Sequence, residues 1–289
     1  MRRGNDMKLV LHDTAESFIE ASLSLLLKNE VLNNLPIGIS MGIRDGRSYG
    51  DGDPFFATVE VDGRTVAAFL QTPPRYLHVY SLAEYEKRAF GLLIDELRRS
   101  GVSIPGVIGE EAMGRGFAEL WKERFGGDWK VKRGLRLFQL DAVTPPESVA
   151  GELRIAGERD EDLLTGWVGA FCEEVGEPQG EEESRKSARF MIERKSVYFW
   201  VDGAGVPVSC VCNARKIVTG EVVNMVFTPL KNRGRGYASV AVAELSQRLL
   251  DSGAAFCCLF TDVENPTSNK IYQKVGYRVI AKYATMDFV

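Results

Sequence analysis

Apolar and polar positions recur along this chain with two periods, and these divide it into elements. Phe55-Phe-Ala-Thr-Val-Glu-Val reads as a strand, Asp62-Gly63 as a tight turn and Thr65 to Gln71 as the returning strand. Residues 76–80 suit a third strand. Apolar residues then fall at Leu82, Tyr85, Ala89, Leu92, Leu93 and Leu97, a helical stripe over 82–99 that Gly101 stops. A short apolar piece around Val107, a helix over 111–125 and a strand over 129–140 follow. Pro145 and Pro146 lie in a polar stretch and stop helix and strand alike, so the chain divides there. Beyond them come a short strand (153–156) and two helices (160–175 and 182–194) separated by Gly176, Pro178 and Gly180. Strands over 197–201, 206–213 and 221–228 lead to a strong helix over 235–251, with Val240, Ala243, Leu245, Leu249 and Leu250 along one side. A buried strand (256–261), a helix (267–275) and a closing strand pair (277–289) end the chain. Three strands, helix, strand, helix, strand thus occurs twice. The order predicts two domains of mixed α/β build, 1–145 and 150–289, related by duplication although residue identity between them is slight.

Composition narrows the chemistry. Of 289 residues, 45% are hydrophobic and 26% charged, ordinary values for a globular chain. No run of ~18 uncharged apolar residues is present to span a membrane. The formal charge is −4, with acids and bases near balance in both halves, which excludes a polycation built to grip nucleic acid. All five cysteines lie beyond residue 171, adjacent at Cys257-Cys258 or alternating at Cys210 and Cys212, so they read as small core residues and not as a disulfide framework or zinc knuckle. With only His12 and His78, histidine-based metal or triad chemistry has little to draw on, and no metal is expected. Lys8, His12, Asp13 and Glu16 break any apolar signal segment, and the expectation is a cytoplasmic protein, monomeric or homodimeric.

The informative stretch is Asn224-Met-Val-Phe-Thr-Pro-Leu-Lys-Asn-Arg-Gly-Arg-Gly-Tyr-Ala. A strand enters a turn rich in glycine and arginine, and a long helix follows at once. Backbone N–H groups of Gly234, Arg235, Gly236, Tyr237 and Ala238 converge at such a junction, and the helix dipole adds partial positive charge, which suits a pyrophosphate. Gly234 and Gly236 permit close backbone approach, while Arg233 and Arg235 offer charge. Neither a P-loop lysine nor a Gly-x-Gly-x-x-Gly fingerprint is present.

Arg233-x-x-Gly236-x-Ala238 after this strand, with Asn265-Pro-Thr-Ser-Asn-Lys-Ile-Tyr272-x-x-x-Gly276-Tyr277 one strand later, resembles the GNAT superfamily of N-acetyltransferases over about residues 150–289. The resemblance implies a splayed mixed sheet flanked by helices, with acetyl-CoA between the fourth and fifth strands of that half. By the same likeness, backbone at Met225, Val226 and Phe227 pairs with the pantetheine and Arg233 to Ala238 hold the pyrophosphate. Asn265 and Asn269 match cofactor-contacting positions, Ser268 shares their helix, and Tyr272 matches the usual general acid.

Acyl transfer from a thioester to an amine needs orientation, an uncharged attacking nitrogen and a proton for the departing thiolate. A thiol of pKa ~8.5 leaves readily enough that one positioned phenol can serve. Tyr272 lies three residues after Asn269 and four after Ser268, on one helix face; the alternative is that its ring simply packs in the core. No general base declares itself. Glu221 reads as a solvated edge charge, and Asn224 sits near the expected strand bulge, where relatives carry an acidic residue. Glu173, Glu174, Glu177 and Glu181 to Glu183 either draw a cationic amine or form a solvated face.

Gly114-Arg-Gly-Phe-Ala imitates Gly234-Arg-Gly-Tyr-Ala but falls inside a predicted helix, and at the true equivalent the first half has Val79-Tyr-Ser-Leu-Ala-Glu. The first half therefore reads as a degenerate GNAT-like domain without cofactor chemistry. The expected activity is acetyl transfer from acetyl-CoA to an unidentified amine by direct attack in a ternary complex. The alternatives are a non-catalytic acetyl-CoA-binding module and a tandem transferase taking an aminoacyl group from tRNA.

Overall fold

The computed structural model describes residues 7–289. One strand–helix order runs through the chain twice. The first pass is β1 (Met7–His12), α1 (Ala15–Leu26), α2 (Asn34–Arg44), β2 (Phe55–Val61), β3 (Arg64–Gln71), β4 (Leu77–Ser81), α3 (Glu86–Ser100), β5 (Gly106–Glu110), α4 (Glu111–Phe125) and β6 (Trp129–Leu140). The second is β7 (Gly151–Ile155), α5 (Glu161–Glu174), α6 (Glu181–Glu193), β8 (Val197–Asp202), β9 (Pro207–Lys216), β10 (Gly220–Phe227), α7 (Tyr237–Asp251), β11 (Phe256–Asp262), α8 (Pro266–Val275) and β12 (Arg278–Phe288). The repeat is longer than expected, because each pass opens with a strand and two helices. In the first pass these are β1, α1 and α2, in a stretch where the hydrophobic pattern was assigned no element. The expected closing strand pair is the single strand β12, since nothing between Arg278 and Phe288 turns the chain back.

The elements gather into two compact units, residues 7–137 with 262–264 and 281–289, and residues 138–261 with 265–280. Against the expected halves 1–145 and 150–289, the division falls earlier than the proline pair, inside β6, and the chain's last nine residues lie in the first unit. There β12 runs antiparallel to β5, from Tyr283 opposite Glu110 to Asp287 opposite Gly106. The first unit's sheet order is β1-β2-β3-β4-β5-β12, and its core joins Phe69, Phe90, Leu93, Phe117 and Val107 to Ala284 and Met286 of β12. Burial of these rings and branched side chains, ~25 cal/mol per Å², holds the helices on the sheet.

The second unit's sheet runs β11-β10-β9-β8-β7. Its two faces have separate cores, as strand alternation requires. On one face Val211, Val223, Cys257 and Leu259 pack with Val242 and Leu245 of α7, Tyr272 and Val275 of α8, and Phe138 and Leu140. On the other, Phe199, Cys210, Cys212, Met225 and Phe227 pack with Leu164, Trp167 and Val168 of α5 and Ala188 of α6.

Candidate functional site

Two neighbouring strands of the second unit part company. Parallel β10 and β11 are in register at Gly220–Phe256, Glu221–Cys257 and Val222–Cys258, after which they run on to Phe227 and Asp262 with no further register between them. A wedge opens toward their C-terminal ends. On its other edge β10 bulges against β9: Asn224 stands opposite Cys212, and the next matched pair is Phe227 with Cys210. One extra residue is fitted in, and Met225 takes φ +46°, a left-handed conformation uncommon for a side chain of that size. Met225 and Phe227 are anchored in the α5–α6 core, with the Phe227 and Trp167 ring centroids 5.9 Å apart, while Val226 is half-buried. The bulge turns main-chain polar groups of Met225 to Phe227 out of the β9 ladder on the strand that borders the wedge.

From Thr228 the chain passes through a single 3-10 turn, Leu230–Asn232, into the glycine-rich loop. Gly234 has φ +76° and Gly236, the N-cap of α7, has φ +82°. Both are positions where a side chain is strained, and a Cβ on Gly236 would stand 3.0 Å from Val149 Cγ2. The first helical bond of α7 runs from the Val240 N–H to the Gly236 carbonyl. The N–H groups of Tyr237, Ala238 and Ser239 therefore precede the helical ladder, no acidic residue occupies that turn, and Arg235 is exposed beside it. Loop and helix start make a seat for an anion at the mouth of the wedge.

Arg233 departs from expectation. Its Nε–H donates to the Thr228 carbonyl at 2.8 Å and its Nη2 pairs with Glu174 at the end of α5. Its side chain is engaged within the protein instead of being aimed at the anion seat.

Across the wedge, α8 brings the other expected residues together. Asn265 is the N-cap of α8, its Oδ1 accepting the Ser268 N–H at 3.0 Å. Asn269 is buried and its Nδ2 donates to the Asn265 carbonyl at 2.7 Å. Both amides thus hold the start of the helix. Tyr272 lies on the same face, 7% exposed, its ring 6.0 Å from those of Phe138 and Tyr277. It belongs to the core that contains Val223 and Leu259, one from each strand of the wedge. Burial alone pushes its phenol pKa up, so it is protonated throughout the physiological range.

Glu221 is not a solvated edge charge. It is 8% exposed, at the closed end of the wedge opposite Cys257, and its Oε2 is buried without a hydrogen-bond partner. Burial raises its pKa, against the opposing pull of Asn213 and Lys216. Strand alternation places it one side chain before Val223 on the α7 face, and the neighbouring thiol of Cys257 is pushed up to about 12, chiefly by burial and further by Glu221 itself. Asn224, beside the bulge, is exposed. The acidic set around α5 and α6 is largely spent within the protein: Glu181 pairs with Arg185 at 3.2 Å, Glu182 with Lys186 at 3.0 Å, and Glu174 with Arg233. Cys210, Cys212, Cys257 and Cys258 are buried free thiols, as expected. Among the described residues no group of His, Cys, Asp and Glu is arranged to hold a metal ion, and no helix is long and apolar enough to cross a membrane.

The corresponding strands of the first unit, β4 and β5, are in register at Leu77–Val107 and His78–Ile108. Immediately beyond, the Val79 carbonyl and Cγ2 both stand 3.4 Å from where a Cβ on Gly109 would be, so side chain and backbone fill the space that is open in the second unit. The first turn of α3 carries Glu86, whose pKa is raised by burial and then by nearby Glu110. Two carboxylates at this spot oppose a phosphate. Gly114 of the imitating motif is buried inside α4, where a Cβ would be 3.1 Å from Met286 Cε; its smallness serves packing.

A family model described as FR47-like protein matches residues 214–286, which include β10, the glycine-rich loop, α7, β11, α8 and most of β12. No curated protein matches the chain. Solved structures do, over nearly its full length. An acetyltransferase of the GNAT family from Colwellia psychrerythraea superposes with TM-score 0.63 at 14% identity, covering 98% of this chain and 100% of that one. A GCN5-related N-acetyltransferase from Sphaerobacter thermophilus gives 0.64 at 16%, covering 97% and 94%. A tandem GNAT protein from the clavulanic acid biosynthesis pathway gives 0.59 at 12%, covering 97% of each. At these identities the likeness is one of fold.

Proposed function

We propose that this chain, which carries the GNAT acetyltransferase fold twice in tandem, is an acetyl-CoA-dependent N-acetyltransferase whose chemistry lies in the second unit alone. The observation that carries the reading is the conjunction at β10. A strand splayed from its parallel neighbour and bulged at Met225 runs directly into two left-handed glycines at the start of a 15-residue helix. A pantetheine arm is an extended, amide-bearing chain, and the main chain of Met225, Val226 and Phe227 meets it as one strand meets another. The N–H groups at Gly234 to Ala238 and the α7 dipole suit its pyrophosphate, and the cradle at Gly236 has no room for a Cβ. These residues fit acetyl-CoA, which when bound supplies the acetyl group as a thioester with a thiol leaving group.

The remaining roles fall to this chain's side chains. Tyr272, neutral and held by its ring in the core that spans both wedge strands, donates the proton that the departing thiolate needs. Asn265, Ser268 and Asn269 fix the first turn of α8 and hence the height at which Tyr272 stands. The amine has to attack uncharged, and Glu221, with a raised pKa and an unbonded buried oxygen, is the carboxylate of β10 suited to take its proton. Acceptor identity is open among small amines, peptide termini and lysine side chains. A panel of these monitored by thiol release from acetyl-CoA, with calorimetric titration of the full chain, tests the reading. Release with one amine class and one site per chain supports it. Binding without release from any amine would leave a non-catalytic binding module, and no binding would remove the proposal altogether.

A further inference from the structure

We infer that Arg233 and Glu174 form a latch that fastens the connection between α5 and α6 to the glycine-rich loop, with Arg233 acting as a positioning residue and not as a phosphate ligand. The inference rests on the wedge being the acyl-CoA site. Three features carry it. The Arg233 guanidinium is used on two edges, its Nε on the Thr228 carbonyl at 2.8 Å and its Nη2 on the Glu174 carboxylate, so it is directed away from the α7 N-terminus toward the end of α5. The last turn of α5 carries Glu173 and Glu174 and no basic residue, an arrangement opposed by the helix dipole. Arg233 is the cation that answers it, from 59 positions along the chain. The segment held is compact and local: Val175, Gly176 and Glu177 N–H groups return to the carbonyls of Phe171, Glu173 and Cys172 at 3.0, 3.1 and 2.9 Å. A left-handed Gly176 then turns the chain toward α6.

The consequence is positional. α5 and α6 cover the face of β10 that holds Met225 and Phe227, so the end of α5 flanks the mouth of the wedge from the side opposite α7. An acceptor entering on that side meets the latched connection. A lysine at 233 could carry the charge but lacks the second N–H edge that also holds Thr228. An ion pair this exposed, 41% and 45%, adds little to global stability, and its effect is local order.

The test uses the full chain with Arg233→Ala, Glu174→Ala, the double variant, and the exchanged pair Arg233→Glu with Glu174→Arg. Hydrogen exchange should speed up about two- to fivefold at amides 175–177 in either single variant, the scale of an exposed pair. The double variant should show no more than either single change, and the exchanged pair should recover part of the protection. CoA affinity should stay within about twofold in Glu174→Ala, while the KM for any amine found in the panel rises with kcat little changed. Unaltered exchange in both single variants, or additive effects in the double one, would overturn the latch. So would Arg233→Ala weakening CoA about tenfold with exchange at 175–177 intact, since that marks a phosphate ligand. A wild-type chain that binds no CoA would remove the functional reading, whereas the exchange data would still decide the latch.

Discussion

Burial at Tyr272 keeps its phenol neutral, and its ring is fixed between Phe138 and Tyr277, so removing the hydroxyl separates chemistry from packing. Tyr272→Phe is expected to slow the chemical step by ~10²-fold while CoA affinity stays within a factor of a few, measured under saturating amine with folding checked by circular dichroism. The loss should shrink for acyl donors whose thiol has a lower pKa, which need less protonation on leaving. Unchanged turnover with chemistry limiting the rate would reduce Tyr272 to core packing. Glu221 gives the opposite combination. Its pKa is raised by burial in the folded protein, so the folded state binds the proton more tightly than the unfolded one. Any stability this contributes is fully present below the unfolded pKa and is lost as pH rises through the folded pKa. Glu221→Gln should therefore raise the melting temperature at neutral pH and leave it unchanged in acid, while removing the acidic limb of the pH–rate profile. A variant less stable than wild type at pH 7 would show that the carboxylate is compensated by a group not recognised here.

At the scale of elements, the splay between β10 and β11, the bulge and the start of α7 act together, and glycine sets what each can do. Gly236→Val introduces both a left-handed β-branched residue and a contact at 3.0 Å with Val149, and the expected result is at least tenfold weaker CoA binding by calorimetry. Gly234→Ala meets no atom within 4 Å, so it isolates backbone strain, on the order of 1–2 kcal/mol, from steric clash. If both variants bound CoA like wild type, the loop would not be the pyrophosphate seat. Much of this element was legible beforehand: glycines between an apolar strand and a periodic helix announce the junction. The bulge angle at Met225 and the turning of Arg233 toward Glu174 were not, because each depends on a partner strand or helix remote in sequence. Helix α1 illustrates a signal that was present and unused, since Thr14 caps it through the Ser17 N–H and Ala15, Phe18, Ile19, Ser22 and Leu26 recur at helical spacing.

For the whole molecule, the path of the closing strand has the largest consequence. β12 is last in the chain, yet its residues 281–289 complete the first unit, where Ala284 and Met286 are fully buried and the Tyr283 hydroxyl donates to the Leu32 carbonyl. Met286→Ala is expected to cost about 2–5 kcal/mol in chemical denaturation, the range for emptying a buried methionine site. A chain ending at residue 280 should lose hydrogen-exchange protection along β5, which then has no antiparallel neighbour on that side. Retained protection there would show β5 to be held without it. For the same reason a fragment of residues 1–145 lacks part of its own core and is no control for cofactor binding. The stoichiometry of one CoA must be measured on the full chain, and two sites would contradict the filled β4–β5 space at Val79 and Gly109.

The sequence by itself determined what is local or periodic: the strands and helices from Phe55 onward, the duplicated order, the left-handed glycines and the likeness to an acetyl-CoA fold. Propensity, hydrophobic period and turn chemistry act over a few residues, and those are written in consecutive positions. Only the tertiary structure decided which strand closes which unit, that Glu221 is buried and unbonded, that the acidic residues of α5 and α6 are mostly paired, and that Arg233 answers Glu174. Each of these is a meeting between groups far apart in the chain, whose burial and charge are set by neighbours that no run of adjacent residues reveals.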